Sequence, residues 1–271
     1  MLRDGTIAVL GAGKLGETLI RGLLDAGVVD PGRITVTAAH APRVERLRGE
    51  LGVAGTLSNA DAVAGADIVV LAVKPQQVRA VLADIGTRLR TEQLLISVAA
   101  SVGTAFIEKH LAAPVPVIRA MPNTPCMLKA GMTALASGKN ATPEHLKTAR
   151  EMFASIGRTV IADEKHMDAI TALSASGPAY IYIVIESLAE GGVKVGLPRD
   201  MATELAAQTV LGAGAMVLAT GEHPAKLKDL VTTPAGCTID GILELEDGGL
   251  RVTLIKAVVK ATQRARELLE S

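Results

Sequence analysis

The sequence predicts an α/β protein in which an N-terminal, doubly wound parallel sheet is followed by a C-terminal, all-helical domain. Three observations predict this fold class. An apolar strand runs into a glycine-rich turn near the start of the chain, strands then alternate with helical patterns, and strand signals stop after about residue 165. Such alternation is typical of a parallel sheet whose two faces are covered by helices. We therefore predict two domains, residues 1–165 and residues 166–271.

The glycine-rich turn predicts the ligand of the first domain. Residues 7–10 (IAVL) are an apolar strand, residues 11–16 read GAGKLG, and a helical apolar pattern follows. Strand, G-x-G-x-x-G and helix in this order are typical of a Rossmann-type, dinucleotide-binding loop, although other α/β proteins also carry glycine-rich turns. Gly11 allows the tight turn, Gly13 lets the backbone approach a pyrophosphate, and Gly16 lets the helix pack on the strand. The pyrophosphate is expected at the free N–H groups of the helix start. The predicted cofactor-binding residues here are Gly11, Ala12, Gly13, Lys14, Leu15 and Gly16.

Further strands and helices alternate through the first domain. The continuous apolar run at 68–73 (IVVLAV) is typical of a strand buried on both faces of a parallel sheet. Other predicted strands are residues 33–37, 94–98, 115–119, 131–136 and 159–161. Predicted helices are residues 41–51, 76–86 and 104–111, and one that begins near Pro143 with Thr142 as its N-cap. The series predicts a βαβ sheet of the Rossmann type.

The second domain is predicted to be helical throughout. Its predicted helices are residues 166–174, 178–193, 199–220, 225–230, 235–246 and 249–269. The segment 178–185 is apolar on all sides, which is typical of a helix buried in a core or against another subunit. Because the domain is small, we expect an intersubunit core and hence a homodimer. Gly212 and Gly214 lie inside a helical pattern, so close helix packing explains them better than a second cofactor loop.

Composition limits the partners that the chain is expected to have. Hydrophobic residues make up 49% and aromatic residues 1%, while Lys+Arg and Asp+Glu both total 28. A neutral chain almost without aromatic residues argues against nucleic acid. The two cysteines show no CxxC pairing, which predicts neither a disulfide framework nor a metal site and favours a reducing, cytoplasmic location. The N-terminus lacks a secretory signal, and the uncharged run at 169–185 is broken by Ser, Gly and Pro, so no membrane span is expected.

Candidate ligand-binding residues follow three strands of the predicted sheet. Open α/β sheets bind ligands beyond the carboxyl ends of their strands. Asn123, within MPNTP (121–125), could hydrogen-bond a ribose or a carboxamide, or could be a turn asparagine between two prolines. Lys74 could approach a phosphate or ribose, or could be solvated. The candidates at these strand ends are Ala72, Val73, Lys74, Pro75, Ala99, Ala100 and Asn123.

The end of the second strand predicts which nicotinamide cofactor is preferred. NAD enzymes place Asp or Glu here to bind the 2′-hydroxyl of the ribose. In this chain no carboxylate appears until Glu45. Arg43 and His40 lie there instead, and an arginine is suited to bidentate contact with a 2′-phosphate. The sequence therefore favours NADPH, with NADH as the alternative donor.

A late segment, residues 230–239 (LVTTPAGCTI), is a candidate substrate loop. Small and hydroxyl-bearing residues precede a helix that is predicted to reach Leu245. The free N–H groups at the start of this helix could bind an anion such as a substrate carboxylate. Alternatively, Thr232 or Thr233 could simply be the N-cap of the helix.

Over essentially its whole length the chain resembles the pyrroline-5-carboxylate reductases, the last enzymes of proline biosynthesis. The motifs that carry the resemblance are residues 11–16, 72–75 (AVKP), 121–125, 173–180 (LSASGPAY), 191–198 (GGVKVGLP) and 223–238 (HPAKLKDLVTTPAGCT). In the family the late loop usually reads Ser-Pro-Gly-Gly, a small residue and Thr. Here Thr233, Ala235 and Cys237 depart from that pattern, and Ala175 stands where the family has glycine.

The resemblance implies a fold, an assembly and a reaction. It implies a Rossmann domain and an interlocked helical dimer, often within a ring of dimers such as a decamer, with the active site completed by the partner subunit's helical domain. The implied substrate is a small cyclic imine carboxylate. A hydride passes from the nicotinamide to the imine carbon of L-1-pyrroline-5-carboxylate, giving L-proline.

The resemblance also implies roles for individual residues. Thr238 would be the catalytic residue, orienting the ring while solvent supplies the proton, because a threonine hydroxyl is too weak an acid to titrate near neutral pH. The backbone of Gly236, Cys237 and Thr238 would hold the carboxylate. The family positions that match the cofactor site are Asn59, Ala72, Lys74, Ala99, Ala100 and Asn123.

Two other functions were weighed against this one. A β-hydroxyacid or phosphogluconate-type dehydrogenase has a similar pair of domains, but it carries a catalytic lysine at the start of the inter-domain helix. Residues 176–182 (SGPAYIY) contain no lysine there. A non-catalytic, NADP-sensing scaffold would not be expected to keep Thr238 and the whole late loop.

Overall fold

The computed structural model describes residue 2 and residues 4–270, with side chains through residue 267. Its eight-stranded sheet has the order β3-β2-β1-β4-β5-β6-β7-β8. The strands are β1 (Ile7–Leu10), β2 (Ile34–Thr37), β3 (Ala54–Thr56), β4 (Ile68–Leu71), β5 (Leu94–Ser97), β6 (Val117–Met121), β7 (Gly131–Ser137) and β8 (Gly157–Ile161). Strands β1 to β6 pair in parallel, β7 is antiparallel to β6, and β8 is parallel to β7. The predicted doubly wound α/β fold is confirmed.

Helices follow nearly every strand and then make up the rest of the chain. They are α1 (Lys14–Asp25), α2 (Ala41–Leu51), α3 (Asn59–Ala64), α4 (Pro75–Ile85), α5 (Thr104–Lys109), α6 (Pro143–Ala154), α7 (Met167–Ile170), α8 (Gly177–Lys194), α9 (Arg199–Thr220), α10 (Pro224–Val231), α11 (Cys237–Asp247) and α12 (Leu250–Glu270). A π-helical turn, Thr171–Ala175, connects α7 to α8. Thr142 is the N-cap of α6 as predicted, and it forms a capping box with His145.

The strands of the sheet centre are buried on both faces, which is why they read as continuous apolar runs. In β1, Ile7 and Val9 belong to one apolar core with helix α1, while Ala8 and Leu10 belong to the core on the other face. Successive side chains of a strand point to opposite faces, so a strand between two helical layers must be apolar at every position. The sheet is therefore held by two aliphatic cores, and its strand ends form a rigid edge.

Two short elements were not predicted from the sequence. Strand β3 has three residues, Ala-Gly-Thr, and helix α3 has six. The side chain of Ser58 caps α3 by accepting the backbone N–H of Asp61 at 3.1 Å. Segments this short carry no measurable apolar period, yet they place Asn59 at the first position of α3.

The chain divides into two compact units. The first comprises the described residues up to Ala175 together with those from Ala261 onward, and the second is Ser176–Lys260. The sequence predicted the boundary between residues 165 and 166. The outer ends of the two predicted domains, residues 1 and 271, lie outside the described residues. In the second unit, all of which is described, the buried apolar residues are Ala189, Ala202 and Ala206, with Ile185 and Val193 packed against them.

Two helical stretches have the length and composition of a membrane span. They are Glu164–Lys194 and Arg199–Thr220, and few of their residues are buried. This differs from the expectation drawn from the interrupted run at 169–185, because the mean hydropathy of these helices stays high in spite of their Ser, Gly and Pro residues. Helices that pack against another protein surface are equally long and apolar, so the finding shows only that these helices are long, apolar and exposed.

Candidate active site

A cavity of about 570 Å³ opens at the carboxyl edge of the sheet, where the strand order reverses between β1 and β4. This is the place where open α/β sheets bind ligands. The lining is contributed by the ends of β1, β2 and β4, by α3 and by one face of α4. Its residues are Gly11, Ala12, Gly13, Thr37, Ala38, Ala39, His40, Arg43, Leu57, Asn59, Ala72, Val73, Lys74, Gln77, Ala80, Val81 and Asp84.

The glycines of the turn have the geometry that a cofactor loop requires. Gly11 has φ +81°, and a Cβ there would lie 2.4 Å from Cγ1 of Val73. A Cβ on Gly16 would lie 3.2 Å from Cγ1 of Val9, a tight contact, so glycine favours the close packing of α1 on β1. Around Gly13 the nearest atom to such a Cβ is 3.9 Å away, which leaves the backbone open to a ligand.

Helix α1 begins without a side-chain cap. Its N-cap is Gly13, and the first helical hydrogen bond runs from the N–H of Glu17 to the carbonyl of Gly13 at 3.0 Å. The N–H groups of Lys14, Leu15 and Gly16 therefore have no acceptor within the helix. These three residues lie outside the cavity lining, but their backbone donors form the positive end of the helix, where an anion is stabilised.

Thr37 is a site residue that the sequence analysis missed. The side chain is buried, and its Oγ1 accepts the N–H of Gly11 at 3.2 Å and donates to Oδ1 of Asn59 at 2.7 Å. Its carbonyl accepts the N–H of Ala12 at 2.7 Å. Thr37 thus ties the glycine turn to β2 and α3. Because Oδ1 of Asn59 is engaged, the amide nitrogen of Asn59 remains as the donor available to a ligand.

Arg43 and His40 both line the cavity at the end of β2, as the sequence predicted. Arg43 donates from Nε to the carbonyl of Ala12 at 2.9 Å and from Nη2 to Glu17 at 2.6 Å. His40 is exposed and stands at the start of α2. The first carboxylate after β2, Glu45, pairs with Arg48 at 3.0 Å. The end of β2 is therefore cationic.

Glu17 carries an unusually stabilised negative charge beside this end of the cavity. Its carboxylate oxygens lie 2.6 to 2.7 Å from the guanidinium groups of Arg21, Arg43 and Arg46. Partial burial opposes ionisation, but the hydrogen bonds from Arg46 and Arg21 and the charge of Arg43 outweigh it and lower the pKa of Glu17 to about 2. Glu17 is ionised throughout the neutral range.

The remaining strand-end candidates divide into two groups. Ala72, Val73 and Lys74 line the cavity, and Lys74 is exposed at the start of α4, where Pro75 is the first helical residue. Ala99 and Ala100 follow β5 and lie outside the cavity lining, and the N–H of Ala99 donates to Oγ of the buried Ser97 at 3.3 Å.

Asn123 also lies outside the lining, and its amide is used within the first unit. Oδ1 accepts the N–H of Met132 at 2.9 Å, and Nδ2 donates to the carbonyl of Ser174 at 3.2 Å. Neither contact is the local one that a turn asparagine makes, so Asn123 ties the segment after β6 to β7 and to the π-helical turn. The assignment of Asn123 to the cofactor stays a prediction.

The late loop leads into helix α11. The N-cap of α11 is Gly236, and no side chain caps it. Thr232 instead ends α10, donating from Oγ1 to the carbonyl of Lys228 at 3.0 Å, so the interpretation of Thr232 or Thr233 as the N-cap of α11 is wrong. Cys237 and Thr238 are the first two helical residues, and their N–H groups belong to the free donors of the helix start.

The loop before α11 holds an alanine in a conformation that favours glycine. Ala235 has φ +58°, within the left-handed region. This is one of the positions where the chain departs from the family pattern, in which glycine is usual. At Gly236, a Cβ would lie 2.5 Å from Oγ1 of Thr233. The loop therefore keeps a tight turn immediately before Thr238 in spite of the alanine.

A buried ion cluster under the sheet edge was also missed. Arg119 of β6 is 2% exposed and lies 3.0 Å from Glu164 and 3.7 Å from Asp168. Glu164 also accepts the N–H of Thr104 at 3.2 Å. Because these residues are far apart in the chain, no sequence pattern pointed to the cluster. It holds the segment that follows β8 onto the sheet.

The two cysteines and the other side chains that could bind a metal ion form no metal site in the described part of the chain. No group of three or more His, Cys, Asp or Glu side chains is arranged to hold a metal ion among the described residues. Cys126 is buried and Cys237 is exposed, and both are free thiols. Burial raises the pKa of the Cys126 thiol.

The fold and the cavity define a class of protein: a dinucleotide-binding oxidoreductase with an appended helical domain. Comparison with protein families agrees with this class in both parts of the chain. Residues 6–101 match the family described as NADP oxidoreductase, coenzyme F420-dependent. Residues 164–268 match the family described as pyrroline-5-carboxylate reductase dimerisation.

Individual relatives identify the family. A pyrroline-5-carboxylate reductase of Methanosarcina acetivorans is 45% identical over 98% of this chain and 99% of its own length. The structure of a pyrroline-5-carboxylate reductase from Coxiella burnetii superposes with a TM-score of 0.92 at 36% identity, covering 98% and 99% of the two chains. A Plasmodium falciparum pyrroline carboxylate reductase with NADP bound gives 0.88 at 29% identity, covering 99% and 100%. The chain belongs to the pyrroline-5-carboxylate reductase family, and the resemblance stated from its motifs is confirmed.

Proposed function

We propose that this chain reduces L-1-pyrroline-5-carboxylate to L-proline with NADPH as its preferred hydride donor. The observation that carries the proposal is that the two glycine-bearing loops singled out by their motifs each lead into a helix without a side-chain cap, α1 after Gly13 and α11 after Gly236. Each offers free N–H groups to an anion, which suits the pyrophosphate of a dinucleotide and the carboxylate of the substrate. The near full-length match to reductases of this name supports the same reaction.

On the cofactor side, the first unit supplies binding and orientation. The start of α1 receives the pyrophosphate, Arg43 and His40 face the 2′-phosphate, and the free amide donors of Asn59 face the ribose. The strand-end residues Ala72, Val73, Lys74, Pro75, Ala99, Ala100 and Asn123 complete the proposed cofactor site. When bound, the reduced nicotinamide supplies the hydride that reaches the imine carbon.

On the substrate side, the second unit holds a carboxylate and orients a ring. The backbone of Gly236, Cys237 and Thr238 holds the carboxylate at the positive end of α11. The N–H of Gly236 donates to the carbonyl of Thr233 at 3.0 Å, so the free donors are those of Cys237 and Thr238. The hydroxyl of Thr238 hydrogen-bonds the reacting ring and fixes its face. A neutral hydroxyl does not change its ionisation near pH 7, so the ring nitrogen takes its proton from solvent.

The preference for NADPH rests on charge at the end of β2. Arg43 lines the cavity there, while Glu45 is occupied by Arg48. We expect kcat/KM to be higher with NADPH than with NADH, and Arg43→Ala to narrow the difference. A wild-type enzyme that works equally well or better with NADH would refute the preference.

The assembly is proposed to be a homodimer at least, formed through the second domain at residues 166–271 and leaving residues 1–165 as the dinucleotide-binding domain. The support is the three-alanine core of the described residues 176–260, which is too small to stabilise a helical unit alone. The match of residues 164–268 to a dimerisation family agrees with it.

Unpaired cysteines favour a cytoplasmic location.

The activity is tested directly with the purified chain. Pyrroline-5-carboxylate and NADPH should be consumed in equal amounts while proline accumulates, measured by absorbance and by amino-acid analysis. A linear 3-hydroxyacid with NADP should give no turnover, since residues 176–182 offer no catalytic lysine. Consumption of NADPH without proline would contradict the proposal.

A further inference from the structure

Glu17 directly follows the glycine loop in α1, and the proposed function gives it no role in binding the cofactor or the substrate. It is outside the lining of the dinucleotide cavity, and its side chain is 16% exposed. Its oxygen Oε2 nevertheless lies 2.6 Å from Nη2 of Arg43, which does line that cavity. A largely buried carboxylate that hydrogen-bonds a cavity residue from outside the cavity can fix the orientation of that residue.

Arg43 is held at two of its donors. Nε donates to the carbonyl of Ala12 at 2.9 Å, and Nη2 donates to Glu17 at 2.6 Å. A guanidinium is planar and rigid, so two fixed donors on different nitrogens set the plane of the whole group. The donors of Nη1 have no protein acceptor among the described residues and stay available to a ligand. The glycine loop and Glu17 thus orient Arg43 before any ligand arrives.

We propose that Glu17 is a positioning residue for Arg43, and that it sets the discrimination between cofactors with and without a 2′-phosphate. This inference rests on the proposed function, which assigns Arg43 to the 2′-phosphate. An arginine whose plane is fixed in advance loses less conformational freedom on binding a phosphate, so its contact with the phosphate is stronger. The preference for NADPH then depends on a carboxylate that never touches the cofactor.

If Glu17 acted through its charge alone, its removal would have the opposite effect on phosphate binding. The cluster of Arg21, Arg43, Arg46, Glu17 and Glu50 carries three positive and two negative charges. If Glu17 only offset the charge of Arg43, then removing it would strengthen the attraction for a phosphate. Positioning and charge compensation therefore predict changes of opposite sign, which one experiment can separate.

The experiment measures binding of 2′,5′-ADP and of 5′-AMP by calorimetry to the full chain. Glu17→Ala removes both the acceptor and the charge, whereas Glu17→Gln removes the charge and keeps an acceptor oxygen for Arg43. With positioning, Glu17→Ala weakens 2′,5′-ADP by roughly three- to tenfold, and Glu17→Gln stays within about twofold of wild type. Binding of 5′-AMP should be unchanged in both variants.

Glu50→Ala is the matched control. It removes a carboxylate from the same cluster, 2.5 Å from Arg21 and 2.7 Å from Arg46, without a contact to Arg43. We expect it to leave both affinities unchanged. Glu17→Ala combined with Arg43→Ala should be no weaker than Arg43→Ala alone, because Glu17 acts only through Arg43.

Three results would overturn the inference. They are tighter binding of 2′,5′-ADP by Glu17→Ala, equal effects of Glu17→Ala and Glu17→Gln, and an effect of Glu50→Ala as large as that of Glu17→Ala. The measurements need no substrate and no turnover. If the wild-type chain forms no proline but still binds 2′,5′-ADP more tightly than 5′-AMP, the result counts against the proposed reaction and leaves the role of Glu17 intact.

Discussion

The two units of this chain bury their apolar side chains to very different degrees. The first packs Leu, Ile and Val on both faces of its sheet. The second, whose residues are all described, buries only alanines and exposes large side chains such as Ile183, Met201 and Leu211. Exposed apolar area of this extent marks a surface that another protein covers. The comparison teaches that the first unit carries its own core, whereas the second leaves its large apolar side chains exposed.

The largest expected effect comes from charging the exposed face of the second unit. Ile183 and Leu211 are 62% and 63% exposed in the single chain. In a two-fold dimer each substitution occurs twice, so Ile183→Glu or Leu211→Glu should weaken the dimer by on the order of 10²-fold or more. Light scattering over a concentration series measures this.

Leu128→Glu is the control for that prediction. Leu128 belongs to the first unit and is still more exposed, at 84%. The same change in charge at this position should leave the oligomer intact. If instead the Leu128 variant dissociated and the other two did not, then the first unit would be the one that mediates association.

The next largest effect is a loss of stability of the first unit when Arg119 is replaced. Arg119→Met leaves the carboxylates of Glu164 and Asp168 without the cation that faces them. Arg119 is buried, whereas Glu164 and Asp168 are partly exposed at 31% and 17%, so removing the cation costs roughly 1–3 kcal/mol of folding free energy. Urea unfolding should show this loss. Arg158→Met, at an exposed arginine of β8, should change stability by no more than about 0.5 kcal/mol, and an equal loss there would contradict the role of burial.

A third prediction concerns function in the second unit. Thr238→Val keeps the side-chain volume and removes the hydroxyl, so kcat should fall by roughly ten- to a hundredfold while NADPH binding is preserved. Thr232→Val is the control, because that hydroxyl bonds only the carbonyl of Lys228 at the end of α10. Kinetics, NADPH titration and melting temperature should be measured on the same preparations. Near-normal turnover of the Thr238 variant would remove Thr238 from catalysis.

The smallest expected effect is a gain. Ala235 has φ +58°, and the left-handed conformation costs a non-glycine residue about 1–2 kcal/mol. Ala235→Gly should relieve this strain and, after the added entropy of the unfolded chain, stabilise the protein by up to about 1 kcal/mol. Ala225→Gly, inside helix α10, should have the opposite sign. Thermal melting at fixed protein concentration distinguishes the two, and a loss of stability in the Ala235 variant would argue against strain.

Most of the fold could be predicted because its signals are local. Strands β1 and β4 are continuous apolar runs, and the glycine pattern of the turn after β1 is complete within six residues. Strand β3 could not be found, since three residues have no period and its pairing with β2 is a property of the sheet.

The parts of the site that escaped prediction depend on contacts between distant residues. Thr37 binds Gly11 and Asn59, which lie 26 and 22 positions away, and the sequence showed only an ordinary strand residue. Likewise Asn123 reaches Ser174 across 51 positions, and Arg119 reaches Glu164 across 45. The interpretation of Thr232 or Thr233 as an N-cap failed because Thr232 serves the preceding helix. Residue type alone did not indicate these roles, because they depend on which residues the fold brings together.

The two thiols differ in exposure, and this difference allows one of them to be labelled selectively. Cys126 is buried and burial raises the pKa of its thiol, while Cys237 is exposed at the first position of α11, next to Thr238. Since a thiolate is the species that attacks a maleimide or an iodoacetamide, a reagent applied to the native chain should modify Cys237 and spare Cys126. A fluorophore could thus be attached beside the substrate loop of the unaltered sequence.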